Sequence, residues 1–361
     1  MKILILANND VGLYQFRRKL IETMLQQGHQ VLISLPDGPL VAPLVEKGCP
    51  FLDTPIDRRG LDPVKDLRLL SRYLSILKEH RPDLVVTYTI KPNIYGGMAC
   101  RMKKIPYAIN ITGLGTAFQK EGLLRSFVVR LYRTALKSAK VVFFENAANR
   151  DLFLREKIVP RSKCRLLSGA GVDLDYFTPA PYPRSGPTRF LFVGRVMKEK
   201  GVDELFAAME QLHARGADCV LDVLGLHEED YAEAIEKGQQ QGWLCYHGYQ
   251  KDVRPFIEKA HCFVLPSYHE GMANTNLECA AMGRPLITTD IPGCREAVTH
   301  GSGILCKPQN TDSLFSAMDL FLHLPTEARQ AMGLTGRKHM EAVFDKEKVV
   351  SNTMEGLGID A

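Results

Sequence analysis

Short apolar segments alternate with amphipathic helical patterns along almost the whole chain. This alternation predicts parallel β-sheets covered by helices, because a chain that leaves a parallel strand returns over the sheet through a crossover helix. Apolar residues recur at helical spacing over 14–27, 63–80 and 149–156. In the N-terminal half, strands are predicted at 2–7, 30–35, 83–89, 105–111, 141–145 and 164–167.

A proline-rich segment interrupts this alternation. Four prolines within nine residues exclude a helix or a central strand at 179–187. The alternation restarts beyond them, with strands predicted at 189–194, 219–225, 243–247, 261–265 and 285–289. The last helical pattern, over 326–354, contains two helices that are broken near Phe344 and Asp345.

The restart predicts two domains. With 361 residues, the chain is long enough for two cores of ordinary size. We predict an N-terminal α/β domain over 1–175, a linker over 176–188 and a C-terminal α/β domain over 189–340.

Charged residues are divided unevenly between the halves. Residues 1–180 contain 28 Lys and Arg against 16 Asp and Glu, a net charge of +12. Residues 181–361 contain 18 against 25, a net charge of −7. Such asymmetry indicates different partners for the two halves, and a basic half suits an anionic membrane surface or an acidic substrate. We expect no nucleic-acid partner, because aromatic residues are not interleaved with the basic ones.

Cysteine usage and hydropathy indicate the compartment. The nine cysteines are scattered without metal-ligand spacing, which predicts free thiols in a reducing cytosol. No stretch reaches the ~18 apolar residues that a spanning helix needs. Residues 1–7 are typical of a first buried strand and too short for a signal-peptide core. We therefore expect a cytoplasmic protein.

Two glutamates follow the predicted strand at 261–265. Glu270 begins a glycine-containing loop, and Glu278 lies on the helix predicted after it, with seven residues between them. Carboxylates accept hydrogen bonds from sugar hydroxyls, while free N–H groups at a helix start favour negative charge. The pair therefore suits a polyhydroxylated ligand that carries phosphate. The alternative is an ordinary surface helix with two solvated glutamates.

Two cations follow the predicted strand at 189–194. Arg195 comes directly after Gly194 at the strand end, and Lys200 precedes the next predicted helix. Ligands of open α/β sheets bind outside the carboxyl ends of the strands, so these cations form a candidate diphosphate clamp. The alternative is an ordinary charged turn.

The order of these motifs resembles that of the retaining family-4 glycosyltransferases with the GT-B fold. That resemblance extends from Phe190 to about Lys307. It implies two Rossmann-like parallel-sheet domains that face each other across a cleft, with residues 341–361 forming a terminal helix that crosses back to the N-terminal domain. The motifs that carry it are Gly194-Arg195…Lys200-Gly201, Pro266-Ser267-x-x-Glu270-Gly271…Leu277-Glu278 and Gly283-x-Pro285-Leu286-Ile287-x-x-Asp290.

Two motifs in the N-terminal half resemble a subset of that family. They are Lys91-Pro92-Asn93-Ile94-Tyr95-Gly96 and Asn110-Ile111-Thr112-Gly113-Leu114-Gly115. The subset builds bacterial capsule, O-antigen or glycan precursors on a lipid carrier. The resemblance thus implies transfer of a hexose or N-acetylhexosamine from a nucleotide diphosphate sugar, taken as UDP-linked, to a polyprenyl-diphosphate-linked saccharide.

The resemblance also assigns roles to individual residues. Arg195 and Lys200 would stabilise the leaving diphosphate in place of a metal ion, so no metal and no cofactor besides the donor is expected. Glu270 would lie near the donor sugar, and Glu278 would hold the ribose hydroxyls. Donor binding would further involve the backbone of Gly12, which is expected in the loop after the first strand. It would also involve Gly194, Gly271, Met272, Ala273 and Asn274.

The acceptor side departs from the wider family. Many relatives carry a histidine in the loop where this chain has Thr112 and Gly113, so the role of that histidine has no counterpart here. We expect Thr112 and Gly113 to line the acceptor side of the cleft. The same region lacks the third glycine of a dinucleotide fingerprint, which gives little support to NAD-dependent chemistry.

A basic amphipathic helix is predicted over 123–140. Leu124, Phe127, Val128, Leu131 and Ala135 fall on one face, and Arg130, Arg133, Lys137 and Lys140 fall on another. Such a helix can lie on an anionic membrane, which would place the enzyme at the cytoplasmic face of the inner membrane. The alternative is a packing helix with a solvated basic side.

Other functions with this architecture stay open at this point. A soluble acceptor such as a sugar phosphate is the alternative within the transferases. A nucleotide-sugar 2-epimerase would share the two domains, although it would need acid and base groups that the Thr112 loop does not supply. A non-catalytic scaffold would be expected to have lost at least one of Arg195, Lys200, Glu270 and Glu278.

Overall fold

The chain folds into two compact units. The computed structural model describes residues 1–57, 62–115, 118 and 122–359. The first unit comprises Met1–Ala170 together with the C-terminal segment from Lys346, and the second comprises Gly171–Asp345. Each unit is a parallel β-sheet covered by helices, which confirms the predicted α/β class with two Rossmann-like domains.

The first unit is built on a seven-stranded parallel sheet. Its central strands are near-continuous apolar runs because helices cover both faces. The strands are β1 (Lys2–Leu6), β2 (Gln30–Leu35), β3 (Phe51–Asp53), β4 (Leu84–Tyr88), β5 (Tyr107–Ile111), β6 (Val141–Phe144) and β7 (Cys164–Leu166). Their order in the sheet is β3-β2-β1-β4-β5-β6-β7. β1 pairs with β2 on one side and with β4 on the other, so the order reverses between β1 and β4.

Side-chain caps mark the start of two long helices of this unit. The Asn9 side chain caps the first helix, and the Asp62 carboxylate caps the third, where Pro63 occupies the first helical position. A π-helical turn, Pro92–Gly96, leads directly into the fourth helix. The helices are α1 (Asp10–Gln26), α2 (Ala42–Glu46), α3 (Pro63–His80), α4 (Gly97–Lys103), α5 (Leu123–Leu136) and α6 (Ala147–Arg155).

The C-terminal helix packs on this first unit. The ammonium of Lys140 donates a hydrogen bond of 2.6 Å to the carbonyl of Leu357. Gly356 lies against β6, since a Cβ there would be 2.6 Å from the ring of Phe143. This helix is α13 (Lys346–Leu357), and the last two residues of the predicted segment 341–361 lie outside the described residues.

The second unit is built on a six-stranded parallel sheet. Its strands are β8 (Thr188–Val193), β9 (Cys219–Leu224), β10 (Leu244–Gly248), β11 (Cys262–Leu265), β12 (Leu286–Thr289) and β13 (Gly303–Cys306). Their order is β10-β9-β8-β11-β12-β13. β8 pairs with β9 on one side and with β11 on the other, so the order reverses between β8 and β11.

Six helices cover this second sheet. The final one continues into a π-helical segment, Met340–Phe344, and ends where the predicted break lies. The helices are α7 (Val202–Ala214), α8 (Ala232–Gln240), α9 (Arg254–Lys259), α10 (Asn274–Ala281), α11 (Thr311–His323) and α12 (Thr326–His339).

The proline-rich segment packs on the second unit. Arg284 is buried and donates hydrogen bonds to the carbonyls of Ala180 and Pro181, at 3.2 and 2.8 Å. Burial lowers the pKa of this guanidinium. The hydroxyl of Tyr182 also donates to the carbonyl of His261 at 2.9 Å. The segment is therefore fixed to one unit, and the chain divides after Ala170, ahead of the predicted boundary at 175.

None of the described helices combines the length with the apolar character that crossing a bilayer requires.

Candidate active site

Two charged side chains meet at the carboxyl edge of the second sheet. Lys200 lies in the turn between β8 and α7, and Glu270 lies in the loop between β11 and α10. These strands flank the reversal of strand order, where open α/β sheets bind ligands. The Lys200 ammonium forms an ion pair with the Glu270 carboxylate, and the side chains are 18% and 13% exposed. The fold thus joins two residues that are 70 positions apart.

Ser267 positions the same carboxylate. Its hydroxyl donates a 2.8 Å hydrogen bond to Oε1 of Glu270. The two loops are also joined through the backbone, since the N–H of Tyr268 donates to the carbonyl of Glu199 at 2.9 Å. Ser267 is a site residue that the sequence analysis did not identify. The feature that could have identified it is a hydroxyl placed three residues before Glu270.

Close backbone packing fixes these loops. Gly201 has φ +74°, and a Cβ there would lie 2.1 Å from the carbonyl oxygen of Pro266. Gly293, in the loop after β12, has φ +89°, and a Cβ there would lie 2.7 Å from the carbonyl oxygen of Glu270. Its own carbonyl accepts a 2.8 Å hydrogen bond from the N–H of Ala273. Three loops therefore hold Glu270 and Lys200 through contacts that only glycine allows.

The change Gly201→Ala is expected to destabilise the protein because it adds both backbone strain and a clash with Pro266. Gly216 is a matched control, since it has φ +72° with no atom within 4 Å of its Cβ position. We expect Gly216→Ala to lower the free energy of unfolding by about 1 kcal/mol, and Gly201→Ala by at least about 2 kcal/mol more. Denaturant titration measures both. Equal losses would show that the close approach to Pro266 contributes nothing.

The start of α10 lies beside Glu270. Among the described residues no side chain caps this helix, and its first turn contains no acidic residue. Met272 and Ala273 are buried, whereas Gly271, Asn274 and Glu278 are partly exposed. Peptide N–H groups at such a helix start attract anions, including phosphate. A carboxylate, an ammonium and a helix N-terminus therefore converge at one edge of the sheet.

Arg195 has a different partner from Lys200. Its guanidinium lies 2.9 Å from Oε2 of Glu228, and the side chains are 49% and 33% exposed. The preceding Gly194 touches the loop after β9, since a Cβ on Gly225 would lie 1.8 Å from the Gly194 carbonyl oxygen. An exposed ion pair contributes little stability. Arg195 can therefore exchange Glu228 for an anionic ligand at small cost.

Gly12 does not lie in the loop after the first strand, as the sequence suggested. It lies in the first turn of α1, because Asn9 caps that helix and starts it at Asp10. The N–H of Gly12 donates to Oδ1 of Asn9. Thr112 and Gly113 follow β5 at the carboxyl edge of the first sheet, and both are partly exposed.

The structure contains a buried ion pair near this edge that the sequence did not predict. Arg17 of α1 and Glu145, which follows β6, form a pair whose side chains are about nine-tenths buried. Burial raises the pKa of the Glu145 carboxyl, and the Arg17 guanidinium opposes that shift. The guanidinium also lies over the ring of Tyr88, 4.9 Å from its centroid. Arg17 and Glu145 are 128 positions apart, so only the fold joins them.

Two family profiles match the chain. One, described as glycosyl transferases group 1, matches residues 179–339, which contain the Lys200 and Glu270 site. The other, described as a glycosyl transferase 4-like domain, matches residues 12–170. The chain belongs to the glycosyltransferases. The resemblance identified in the sequence is thereby confirmed, and the protein is an enzyme of this family.

Named relatives agree with this assignment. The N,N'-diacetylbacillosaminyl-diphospho-undecaprenol alpha-1,3-N-acetylgalactosaminyltransferase of Campylobacter jejuni is 26% identical over 340 residues, covering 89% of each chain. The UDP-Gal:alpha-D-GlcNAc-diphosphoundecaprenol alpha-1,3-galactosyltransferase of Escherichia coli is 25% identical and covers 80% of this chain and 78% of the relative.

A solved structure shares the fold of this glycosyltransferase. Anabaena Alr3699/HepE in complex with UDP superposes with a TM-score of 0.80 at 16% identity, covering 99% of this chain and 100% of that one. The two-domain GT-B fold expected from the motifs is thus confirmed.

Proposed function

We propose that this glycosyltransferase moves a hexose or N-acetylhexosamine from a UDP-linked donor to a lipid-diphosphate-linked saccharide, with retention of anomeric configuration, in bacterial surface polysaccharide or glycan synthesis. The observation that carries the proposal is the Lys200–Glu270 pair beside the uncapped start of α10. The two relatives named above support the acceptor class, since both carry an undecaprenyl diphosphate in their names. The UDP complex of HepE supports the donor class.

The proposed reaction breaks the bond between the anomeric carbon and the terminal phosphate oxygen. The bonding electrons pass to that oxygen, the acceptor hydroxyl attacks the anomeric carbon from the same face, and its proton passes to the departing phosphate. Negative charge grows on the diphosphate, where Lys200, Arg195 and the N–H groups of α10 stabilise it. Glu270 accepts hydrogen bonds from the donor sugar, and Glu278 accepts them from the ribose.

The proposal is tested by measuring transfer from radiolabelled UDP-sugars. Each donor is incubated with a polyprenyl-diphosphate saccharide, with free sugars and sugar phosphates, or with no acceptor. Label moving only into the lipid fraction is the expected result. Label on a soluble sugar would replace the lipid acceptor with a soluble one. Conversion of the donor to its epimer without any acceptor would contradict a transferase. Proton NMR of the product's anomeric signal tests retention.

We expect transfer to persist in the presence of a chelator, because Lys200 and Arg195 supply the positive charge on the diphosphate. Paired carboxylates can hold a divalent cation. The chain contains one Asp-x-Asp sequence, Asp173-Leu174-Asp175, which lies before the proline-rich segment. The carboxylate of Asp173 accepts a 3.0 Å hydrogen bond from the N–H of Tyr176. Rates measured with EDTA and with added Mg²⁺ should agree within about twofold. A loss of activity in EDTA that Mg²⁺ restores would contradict metal-independent transfer.

Helix α5 supports the proposed contact with an anionic membrane. The helix ends at Leu136, and Val128 and Ala135 are core residues, so part of the apolar face expected from the sequence is buried. The exposed apolar residues lie in its first turns: Leu123, Leu124 and Phe127 are 91%, 43% and 54% exposed. The exposed cation Arg130 follows on the same helix, and the exposed Lys137 comes directly after its last residue. Apolar side chains followed by cations suit the interface of an anionic bilayer.

Removing the charges of Arg130 and Lys137 should weaken vesicle binding. Each basic residue near an anionic surface contributes about 1 kcal/mol, so Arg130→Gln with Lys137→Gln should reduce the partition coefficient about 30-fold. Co-sedimentation with phosphatidylglycerol vesicles measures this. The control is Arg68→Gln with Lys78→Gln, two exposed cations on α3. An equal reduction in both variants would assign binding to net charge and not to α5.

A further inference from the structure

The loop after β4 contains a strained residue. Thr89 has φ +72°, a left-handed conformation that β-branched side chains rarely adopt. It lies directly beyond β4, at the carboxyl edge where the strand order of the first sheet reverses. Strained residues persist where the surroundings over-determine them, and they concentrate at binding and catalytic sites.

A buried amide network holds this loop in place. The side chain of Asn93 accepts a 2.7 Å hydrogen bond from the Thr87 hydroxyl and donates one of 2.8 Å to the carbonyl of Asn110. The amide of Asn110 donates in turn to the carbonyl of Thr87 at 3.2 Å. The N–H of Asn93 donates to the carbonyl of Thr89 at 2.9 Å. The Lys91–Gly96 motif therefore ties the ends of β4 and β5 together.

The same loop contacts the acceptor-side loop after β5. Gly115 has φ +66°, and a Cβ there would lie 2.6 Å from Cδ1 of Ile90. Ile90 therefore packs against Gly115, at the end of residues 112–115 that follow β5. Lys91 is the next residue in the chain, which brings its backbone within one residue of this contact.

The carboxylate that pairs with Lys91 also accepts a hydrogen bond from a second side chain. Its ammonium lies 2.8 Å from Oδ1 of Asp66 on α3, and both side chains are 12% exposed. The hydroxyl of Tyr95 donates a 2.8 Å hydrogen bond to Oδ2 of the same Asp66. If Lys91 moves to another anion, Asp66 keeps a hydrogen-bond donor. The cost of exchanging partners is therefore smaller than for Arg17, whose partner Glu145 is more deeply buried.

We propose that Lys91 binds the diphosphate of the lipid-linked acceptor, leaving Asp66 to Tyr95 when the acceptor arrives. The inference rests on the proposed function, because it needs an acceptor that carries diphosphate. An ammonium is a common ligand for phosphate, and the strained loop fixes its position at the edge where acceptor chemistry is expected. Lys91 thereby selects acceptors by their phosphates, while the saccharide is held elsewhere.

The test uses three substitutions at this cluster and one control. Lys91→Met removes the charge and keeps the length of the side chain, and Lys91→Arg restores the charge. Asp66→Asn breaks the ion pair but leaves Lys91 in place. Lys65→Met is the control, since Lys65 on the same helix as Asp66 forms an ion pair with Asp57 in which the side chains are 57% and 30% exposed. Thermal unfolding verifies that each variant folds.

The probes are farnesyl-diphosphate-linked N-acetylglucosamine and octyl N-acetylglucosaminide, which lacks phosphate. Binding of each to the UDP-loaded enzyme is measured by equilibrium dialysis, and transfer to each is measured separately. We expect Lys91→Met to raise Kd and KM for the diphosphate probe about tenfold or more, with the donor KM and the neutral probe unchanged. Lys91→Arg should recover most of the affinity. Asp66→Asn and Lys65→Met should not weaken binding.

Any one of four results would overturn the inference. Equal losses in Lys91→Met and Asp66→Asn would show that the ion pair is only structural, as would equal losses on both probes. Absence of diphosphate-probe binding to the unmodified enzyme would overturn it together with the lipid acceptor. Lys91-dependent binding without transfer would uphold Lys91 as a diphosphate ligand while contradicting the proposed function. Transfer that is independent of Lys91 would uphold the proposed function and contradict Lys91 as a diphosphate ligand.

Discussion

Replacing Lys200 with methionine is expected to lower kcat by about 10²–10³-fold, with little change in the stability of the second unit. Lys200 lies at the carboxyl edge between β8 and β11, where the diphosphate of the donor would develop negative charge. Methionine keeps the length of the side chain and removes only the ammonium. The loss should appear in single-turnover transfer from a UDP-sugar, where product release does not limit the rate.

Lys198 supplies the matched control for this change. It lies in the same three-residue turn and is exposed, whereas Lys200 is mostly buried against Glu270. Lys198→Met removes an equal charge from the same loop, and we expect it to retain activity within about threefold. If both variants lost activity equally, the net charge of the loop would account for the effect. Unchanged turnover in Lys200→Met would remove this ammonium from the site.

Replacing Glu270 with glutamine is expected to lower kcat/KM by about 10–10²-fold. The carboxylate holds Lys200 in position and would accept hydrogen bonds from the donor sugar, and hydrogen bonds to charged groups contribute about 1.5–3 kcal/mol each. Glutamine can still accept the hydrogen bond from Ser267, so the loop should keep its conformation. Steady-state kinetics with varied UDP-sugar measures the loss.

The double variant separates the two roles of Glu270. If the carboxylate acts mainly by positioning Lys200, Lys200→Met with Glu270→Gln should be no worse than Lys200→Met alone. A further loss in the double variant would indicate separate contact with the sugar. Glu199→Gln is the control, because Glu199 is exposed in the same loop as Lys200. Activity in Glu270→Gln equal to that of Glu199→Gln would contradict any role for the carboxylate.

The strands of both sheets could largely be predicted from the sequence. Parallel strands buried on both faces are continuous apolar runs, and β2 occupies the residues predicted for it. Two strands were missed, β3 and β13. β3 has three residues, none of them fully buried, and β13 begins with a glycine and has only one buried residue. Both lie at the edge of their sheet, where an apolar run is not required.

The residues of the candidate site could be predicted more readily than their partners. Lys200 and Glu270 stood out because each follows a buried strand, but their ion pair depends on the neighbouring positions of β8 and β11. Strand order is not encoded in local patterns. The pairing of Arg195 with Glu228 could not be predicted for the same reason, since Glu228 lies in the segment after β9, the neighbour of β8.

Side-chain caps and long-range hydrogen bonds account for the remaining differences. Gly12 was assigned to a loop because the helical apolar spacing begins only at Tyr14, whereas the Asn9 cap extends α1 to Asp10. The proline-rich segment has the irregular backbone that its composition predicts. Its attachment to the second unit depends on Arg284, which is more than 100 positions away from Ala180 and Pro181.

The diphosphate site of the second unit can be observed directly in a crystal structure of the enzyme with an unreactive UDP-sugar analogue. We predict phosphate density within hydrogen-bonding distance of Lys200 and of the N–H groups that begin α10, with the sugar against Glu270 and the ribose against Glu278. Lys200 should then contact the diphosphate as well as Glu270. Nucleotide bound away from the carboxyl ends of β8 and β11, or with its phosphates turned away from Lys200, would contradict this assignment.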